Sequence, residues 1–185
     1  MKFLKNVFPL LCTILFFSCS QTLDFDQLDG YTIKPTISTS LTFFTIDAAS
    51  FATAVGVPII TEISEKSDFK LFENSFIKQN LIQLDFDIEV RNEFNRDFTI
   101  EILLLDEDDT IIYTFNAFLG LKVAANNLNF KHKEVIDIEA NQNVKNFTRV
   151  EIKLSLDDKF TPLDILDVGR IKFKSAATIY LEAPL

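Results

Sequence analysis

The sequence contains no tryptophan, and its 185 residues include three tyrosines, one histidine, two cysteines and four glycines. Sugar-binding clefts rely on tryptophan and tyrosine rings for stacking, so the chain has little material for such a cleft. One histidine and two cysteines supply few of the ligands that zinc prefers. The four scattered glycines form no phosphate-binding loop, and the G-x-S-x-G motif of serine hydrolases is absent. We therefore predict no enzymatic activity, no cofactor and no metal centre.

Basic residues are outnumbered as well. The chain has 18 Lys and Arg against 27 Asp and Glu, a net charge of −9. A surface of that sign is repelled by phosphate backbones, so we predict that the protein does not bind nucleic acid. The composition is compatible with a protein partner or with a small ligand, and it does not indicate the identity of either.

Long apolar runs are lacking beyond the first residues of the chain. Lys2 and Lys5 precede an apolar stretch at 7–17, which at about 11 residues is too short to span a bilayer as a helix. A charged start followed by a short apolar run is typical of a secretory signal peptide. Ser18 and Cys19 follow directly, and this arrangement resembles the signal of bacterial lipoproteins. The resemblance implies cleavage before Cys19 and acylation of that residue; secretion without lipid and retention of the segment are the alternatives.

The chain therefore divides into three predicted segments. Residues 1–18 form the signal peptide, residues 19–30 form a polar, acidic tether, and residues 31–185 form a single domain. Cys12 leaves with the signal and Cys19 carries the lipid, so the domain has no thiol and no disulfide. Its length is enough for one sizeable hydrophobic core, which most of the 20 phenylalanines are predicted to fill.

Alternation of apolar and polar residues dominates this domain and predicts strands with one buried face. The clearest run has single polar residues between Ile82, Leu84, Phe86, Ile88 and Val90. The other predicted strands are 31–37, 41–46, 57–63, 98–104, 111–115, 128–138, 150–156 and 170–181. One short helix is predicted by three- to four-residue spacing of Phe69, Phe72, Phe76 and Ile77. About eight or nine strands and at most one short helix predict an all-β fold, an antiparallel, immunoglobulin-like (Ig-like) β-sandwich.

Three carboxylates, Asp85, Asp87 and Glu89, share the polar face of the clearest strand. Their alternation with core residues predicts an outward face, where cross-strand ion pairs contribute roughly a few tenths of a kcal/mol each. The predicted partners of these carboxylates are Lys172, Lys174, Arg149 and Lys153. The alternative is catalysis by paired carboxylates, as in glycoside hydrolysis, which requires the carboxylates to converge in a cleft.

Two other groups have both a functional and a structural interpretation. The segment Asp106–Asp109 joins two predicted strands, and its carboxylates either bind calcium, which takes six to eight oxygen ligands, or form a solvated hairpin tip. The spacing does not match an EF-hand loop, which needs glycine at its sixth position and glutamate at its twelfth. His132 lies between Lys131 and Lys133, and we predict a surface position on a strand for it.

Several features together resemble cell-envelope lipoproteins of Bacteroidota. They are the cut site Phe16-Phe17-Ser18-Cys19, the acidic stretch after it, and a β domain rich in Phe, Ile and Asn. The resemblance implies export and a lipid anchor in the outer membrane through Cys19, with the domain facing the periplasm or the cell surface. Asp109-Thr110-Ile111 also resembles a three-residue O-glycosylation signal of exported Bacteroidota proteins, which makes Thr110 a candidate acceptor.

The expected function is that of a non-enzymatic accessory lipoprotein that binds another envelope protein. A stable complex needs an interface of roughly 1,200–2,000 Å² in total, so we expect an exposed apolar patch or an open sheet edge. The alternative is a surface module that binds a glycan or a peptide. That function requires Tyr31, Tyr113 and Tyr180 to face solvent in a concave site.

Overall fold

A computed structural model describes residues 30–51, 61–94, 96–119, 129–156 and 168–184. The chain divides into two compact units, of which one comprises residues 33–183. The other comprises residues 1–32 with 184–185, and only 30–32 and 184 are described in it. The predicted signal peptide and nearly all of the predicted tether therefore lie outside the described residues.

The described residues form ten strands, one α-helix and three short 3₁₀ segments. The strands are β1 Thr32–Ile33, β2 Thr36–Asp47, β3 Glu62–Asp68, β4 Leu81–Asn92, β5 Phe98–Leu105, β6 Ile111–Leu119, β7 Asn129–Asp137, β8 Arg149–Leu156, β9 Arg170–Leu181 and β10 Ala183–Pro184. The helix α1 is Ser75–Asn80, and the 3₁₀ segments are Ala48–Phe51, Leu71–Glu73 and Gln142–Asn146.

Eight long strands form two antiparallel four-stranded sheets. Sheet I has the order β2-β9-β4-β7, and sheet II has the order β3-β8-β5-β6. The two-residue strands β1 and β10 form a separate ladder. The predicted all-β antiparallel sandwich is confirmed. Within that class, the strand order of the two sheets is that of a jelly roll, in which two Greek keys interlock, rather than the ABED and CFG order of immunoglobulin domains.

The strands with the strongest alternation are those that the sequence predicts best. In β4, Leu84, Phe86, Ile88 and Val90 are each 2% exposed or less, because all four side chains point between the sheets. The predicted strands at 98–104, 150–156 and 170–181 correspond to β5, β8 and β9. Strand β3 begins at Glu62, so the prediction at 57–63 overlaps only its start, and residues 57–60 lie outside the described part.

Strand β2 differs from its prediction: the predicted strand 31–37 covers β1 and only the start of β2, and β2 continues without a break through the predicted strand 41–46. Its pairing with β9 shifts in register between Ser40 and Phe43, which marks a β-bulge. A bulge adds an unpaired residue and breaks the strict alternation of faces along a strand. Residues 41–44 are Leu-Thr-Phe-Phe, and this departure from period two separates the predicted segments 31–37 and 41–46.

A short helix is confirmed between β3 and β4, and it includes Phe76 and Ile77, whereas Phe72 lies in the preceding 3₁₀ segment and Phe69 lies before it. Helix α1 starts after Asn74, whose side-chain oxygen accepts hydrogen bonds from the backbone N–H of Phe76 at 2.9 Å and of Ile77 at 3.4 Å. Such a cap satisfies amide groups that have no partner within the helix. Ile77 is 7% exposed and anchors the helix to the core, and β4 begins directly afterwards.

Phenylalanine supplies the centre of the core, as predicted. The Phe147 side chain is fully buried, and its ring lies 4.7 Å from that of Phe69, 5.1 Å from that of Phe72 and 6.2 Å from that of Phe86. These centroid distances fall in the favourable range for aromatic pairs. The cluster joins the β3–β4 connection to the turn before β8, so it holds one end of the sandwich together.

Candidate functional site

The outward carboxylates of β4 differ from one another in their surroundings. Asp85 is only 2% exposed, although it lies on the outer face of sheet I. Its Oδ1 accepts a hydrogen bond from Gln83 Nε2 at 2.7 Å, and its Oδ2 accepts one from Tyr180 at 3.1 Å. Lys133 Nζ lies 3.0 Å from the same Oδ2. Strands β4, β7 and β9 therefore all contribute to the surroundings of this one carboxylate.

This environment determines the ionisation of Asp85. Burial raises the pKa of the carboxyl, but the hydrogen bonds from Gln83, Lys133 and Tyr180 together outweigh it, so the pKa is lowered from its ordinary value of 3.8. The hydrogen bond to Asp85 likewise raises the pKa of Lys133 and that of Tyr180. A general acid at neutral pH needs a raised carboxyl pKa, so the direction at Asp85 suits an ion pair and a positioning role.

Strand β7 supplies two ion-pair partners of the β4 carboxylates, Lys131 and Lys133, in place of the predicted Arg149 and Lys153. Lys131 Nζ lies 2.5 Å from Glu89 Oε1, and that hydrogen bond lowers the pKa of Glu89. Lys174 is the register neighbour of Glu89 on β9 and adds a weaker attraction to it. The predicted partners Arg149 and Lys153 belong to β8 in sheet II, so they cannot pair with β4. Cross-strand pairing depends on strand order, which the sequence pattern does not reveal.

The sequence predicts a surface position for His132, but the structure places it on the inner side of β7. Its side chain is 27% exposed, stacks on the ring of Phe115 at 6.0 Å, and has Nε2 3.3 Å from Glu134 Oε2. Tyr113 of sheet II donates a hydrogen bond to Glu134 Oε1 at 2.8 Å. Lys131 therefore projects from the opposite face of the strand, and His132 helps to join the two sheets at this side.

The Asp106–Asp109 loop is a hairpin tip between β5 and β6 with its own internal contacts. Asp106 Oδ1 accepts hydrogen bonds from the backbone N–H of Asp108 at 2.9 Å and of Thr110 at 2.8 Å. Asp109 Oδ1 lies 3.0 Å from Arg149 Nη1 and 3.2 Å from Lys66 Nζ. Among the described residues, no group of three or more His, Cys, Asp or Glu side chains is placed to hold a metal ion.

The two predicted modification sites stay predictions. Thr110 is exposed and follows Asp109, which has a positive φ of 62° at the hairpin tip. A turn of this kind is accessible from solvent, as an acceptor site requires. Cys19, the predicted site of acylation, lies outside the described residues.

The three tyrosines do not form a common stacking surface. Tyr113 is half-buried at the side of the sandwich on its bond to Glu134, and Tyr180 is half-buried on the outer face of sheet I. Tyr31 is 63% exposed and belongs to the other compact unit. Tyr113 and Tyr180 therefore do not face the same site, as the predicted glycan-binding alternative requires.

The four edge strands of the sandwich differ in how well they are protected against pairing with another chain. Strand β3 carries Glu62, Glu65, Lys66 and Asp68, and β7 carries five ionisable side chains, Lys131, His132, Lys133, Glu134 and Asp137. Strand β6 has no charged residue, but Tyr113 and Phe115 tie it to β7 through Glu134 and His132. Charges and covering contacts are the devices by which natural sheets protect their edges.

Within the part of the chain that the structure describes, strand β2 has the least protection of the four. Its 12 residues include no charge before Asp47, and among the described residues of the two sheets it pairs on one side only, with β9. A hydrogen bond of 3.3 Å from Ser67 to Thr42 links it to β3 at the bulge. Phe43 is 64% exposed next to that position. An open edge accompanied by an exposed apolar side chain is the feature expected of a protein that binds another protein.

A large groove lies at the end of the sandwich that carries α1. It has a volume of about 760 Å³ and is lined by Lys78, Gln79, Asn80, Leu81, Ile82, Gln83, Asp137, Ile138, Glu139, Gln142, Lys145, Asn146 and Glu182. The lining is rich in amide and carboxylate groups and contains no aromatic ring. Most small-molecule sites are lined mainly by apolar and aromatic side chains, so this composition is that of a solvated groove.

Comparisons with known proteins yield weak similarities of structure. A protein of Parabacteroides distasonis, whose given name is that of a secreted protein, matches with a TM-score of 0.46 and 17% identity over 64% of this chain and 37% of its own. The VP2 subviral particle of infectious bursal disease virus matches with a TM-score of 0.39 and 12% identity over 83% of this chain and 33% of its own. The enzymatically active domain of bacteriophage CBA120 tailspike protein 4 matches with a TM-score of 0.36 and 12% identity, over 83% of this chain and 20% of its own.

The chain thus spans 37% or less of these three structures. No protein-family model and no curated protein matches the chain. Within the described ranges, no helix is long and apolar enough to cross a membrane. The TM-scores of these three structures are all below 0.5.

Proposed function

We propose that this protein is an exported, lipid-anchored accessory protein of the outer membrane that binds another envelope protein. The N-terminal sequence supports the location: Lys2 and Lys5, the apolar stretch 7–17 and Cys19 have the order of a lipoprotein signal. A single acyl chain binds a membrane reversibly, whereas two or more make a durable anchor. Attachment at Cys19 would hold the β domain beside its partner and raise the effective concentration of the two proteins.

The open edge of β2 is the observation that carries the proposed interaction. An edge strand presents unpaired N–H and C=O groups, and an extended segment of a partner adds to the sheet by bonding to them. Strand β2 is long enough for such pairing, because 12 residues at about 3.3 Å each extend roughly 40 Å. Ser38, Ser40 and Phe43 are exposed on its outer face, so a partner strand would meet small side chains and one aromatic ring.

Charge favours the same edge. A protein with a net charge of −9 repels acidic partners over most of its surface. Strand β2 has no charged side chain between Thr36 and Ile46, so its edge meets a partner strand without placing like charges opposite each other. Strand β3, with four charged residues out of seven, lacks this property.

The experiment is an affinity capture of C-terminally tagged full-length protein from gently solubilised native membranes, read by mass spectrometry. Ser40→Lys places a charge on β2, and Thr114→Lys places the same charge at an exposed position of edge strand β6. We expect one partner to be recovered in near-equal amount with the unmodified protein and with Thr114→Lys. The same partner should be lost with Ser40→Lys, because a charge on an edge strand opposes the addition of another strand.

Two results would contradict the proposal. Recovery of the protein without any partner from its native membrane would oppose an accessory role. Equal recovery of the partner with Ser40→Lys would exclude β2 as the interface. Cys19→Ala tests the anchor separately, since we expect it to leave the domain folded and to release the protein from the membrane fraction.

A further inference from the structure

The strand beside the open edge of β2 carries a row of positive charge on the outer face of sheet I. Three successive outward positions of β9 are basic, namely Arg170, Lys172 and Lys174. Lys172 lies opposite Thr45 of β2, and Lys174 lies opposite Phe43. Within the described ranges, no carboxylate oxygen lies within 4 Å of a side-chain nitrogen of the three basic residues. In a chain with a net charge of −9, the region next to β2 is therefore locally positive.

The strand on the other side of β9 distinguishes the two lysines. Glu89 of β4 lies opposite Lys174, and the two side chains attract each other weakly. Lys172 instead lies opposite Arg91. Like charges directly opposite each other destabilise a sheet. A carboxylate that balances the charge of Lys172 would therefore have to approach from the side of β2.

The outer face of β2 offers two different positions to a strand that pairs with its free edge. Such a strand would lie about 10 Å from β9, which is two strand spacings. Thr45 is short, so an extended glutamate side chain opposite Thr45 would meet Lys172 above it. Phe43 is 64% exposed in the next outward position, so the added strand would meet an aromatic ring there. An acidic and an aromatic residue, two positions apart, would match this face.

The inner side of β2 is less covered than that of its neighbour. Phe44 and Ile37 are half-buried, whereas Phe173 and Ile179, their register partners on β9, are 0% exposed. The difference arises because β9 has a strand on each side, while β2 has one on a single side among the described residues. A strand with apolar residues at alternate positions would cover Phe44 and Ile37 further.

We propose that the β2 edge binds an extended segment of a partner protein, antiparallel to β2, with an acidic residue opposite Thr45, an aromatic residue opposite Phe43 and apolar residues between. This inference rests on the proposed function, because it names the chemistry of the partner at the same edge. Every described ladder of the two sheets is antiparallel, and antiparallel pairing is slightly the more stable per residue.

A second copy of the chain is a poorer match for the edge than such a segment. Between Thr36 and Ile46, β2 has no carboxylate that could meet Lys172 of another copy. Two chains with a net charge of −9 also repel each other. The partner strand is therefore assigned to a different protein.

The test uses the labelled peptide Thr-Val-Glu-Val-Phe-Val-Thr with a Gly-Ser tail, in which Glu and Phe fall opposite Thr45 and Phe43. Fluorescence anisotropy measures its binding to the purified full-length protein in a detergent with uncharged headgroups. We expect saturable binding. Replacing the peptide glutamate by glutamine should weaken it about two- to fivefold, as for an exposed ion pair. Replacing the peptide phenylalanine by serine should weaken it about two- to tenfold, as for an aromatic pair.

Variants of the protein separate recognition from folding. Lys172→Gln should weaken binding of the glutamate peptide about two- to fivefold and leave binding of the glutamine peptide unchanged. A general loss of structure would instead weaken both peptides. Lys70→Gln is the matched control, because Lys70 is exposed and belongs to neither β2 nor β9. It should retain the preference for glutamate.

Three results would overturn the inference: no peptide binds, all peptides bind equally, or Lys172→Gln keeps the preference for glutamate. The capture experiment with Ser40→Lys decides separately whether a native partner uses the edge. Loss of that partner, together with peptides that bind equally, would leave the proposed function in place and refute only the chemistry assigned to the partner. A dimer in sedimentation that Ser40→Lys dissociates and Thr114→Lys does not would assign the edge to a second copy, which also overturns the inference.

Discussion

Replacing Phe147 by alanine tests the packing on which the fold depends most. The side chain is fully buried, and its ring lies within 6.2 Å of three other phenylalanine rings. Buried Phe→Ala substitutions cost about 3–5 kcal/mol, through lost transfer free energy and the cavity that remains. Each aromatic pair adds roughly 0.5–1.5 kcal/mol beyond burial, so the three pairs of Phe147 place the expected loss in the upper part of that range, at about 4–5 kcal/mol.

The matched comparison is Phe43→Ala, which removes the same side chain from an exposed position on β2. Phe43 is 64% exposed, so its removal should cost less than about 0.5 kcal/mol. Urea unfolding measures both variants. With a slope of about 2 kcal/mol per molar urea, Phe147→Ala should lower the midpoint by roughly 2 M, and Phe43→Ala should barely change it.

A milder variant protects this test against complete unfolding. Domains are stable by only about 5–15 kcal/mol, so Phe147→Ala leaves a small margin. Phe147→Leu keeps most of the apolar volume and should cost about 1–2 kcal/mol. If Phe147→Ala and Phe43→Ala reduce the free energy of unfolding equally, the aromatic cluster around Phe147 does not stabilise the core.

Three further predictions concern ionisation, contact between the sheets and anchoring. The pKa of Asp85 is lowered in the folded protein, so its ion pair contributes stability above the unfolded pKa, near 3.8, and this stability is lost as the pH falls below that value. Asp85→Asn should therefore lose less stability than the unmodified protein between about pH 5 and pH 3, as measured by urea titrations. An equal loss in the two proteins would contradict this prediction. Burial and the hydrogen bond to Glu134 raise the pKa of Tyr113 to about 12. In an ultraviolet absorbance titration, Tyr113→Phe should lack the phenol that ionises near that pH. The same variant should lower the free energy of unfolding in urea by about 1–2 kcal/mol. Labelled fatty acid should be incorporated into the unmodified protein and not into Cys19→Ala, while incorporation into both would place the acylation elsewhere.

The sequence predicts the strands with unbroken alternation because period two directly reports which face is buried. Strand β4, from Leu84 to Val90, follows this rule without exception. Strand β2 follows it on each side of its bulge, and the bulge makes one strand look like two. The pairing order of the strands has no such local signal, so the jelly-roll order could not be derived from the alternation.

The position of His132 illustrates a signal that was present in the sequence. Phe130, His132, Glu134 and Ile136 share one face of β7, and Ile136 is 1% exposed. The period-two rule therefore places the imidazole on the inner face, although its charged neighbours indicate the surface. The burial of Asp85 had no comparable signal, because its partners Lys133 and Tyr180 lie 48 and 95 residues away and reach it only through the strand register.

The surroundings of Asp85 have a consequence for how the chain finds its native pairing. Antiparallel strands whose partners lie far apart in sequence form slowly, and each can pair in a register that is wrong by one residue. Such a slip of β4 would turn Asp85 towards the phenylalanine-rich interior, where a carboxylate without partners is very unfavourable. In the native register the same side chain bonds to Lys133 of β7 and to Tyr180 of β9. One acidic residue thus favours the native register of three strands at once, in addition to the apolar side chains of β4 that the same slip would expose.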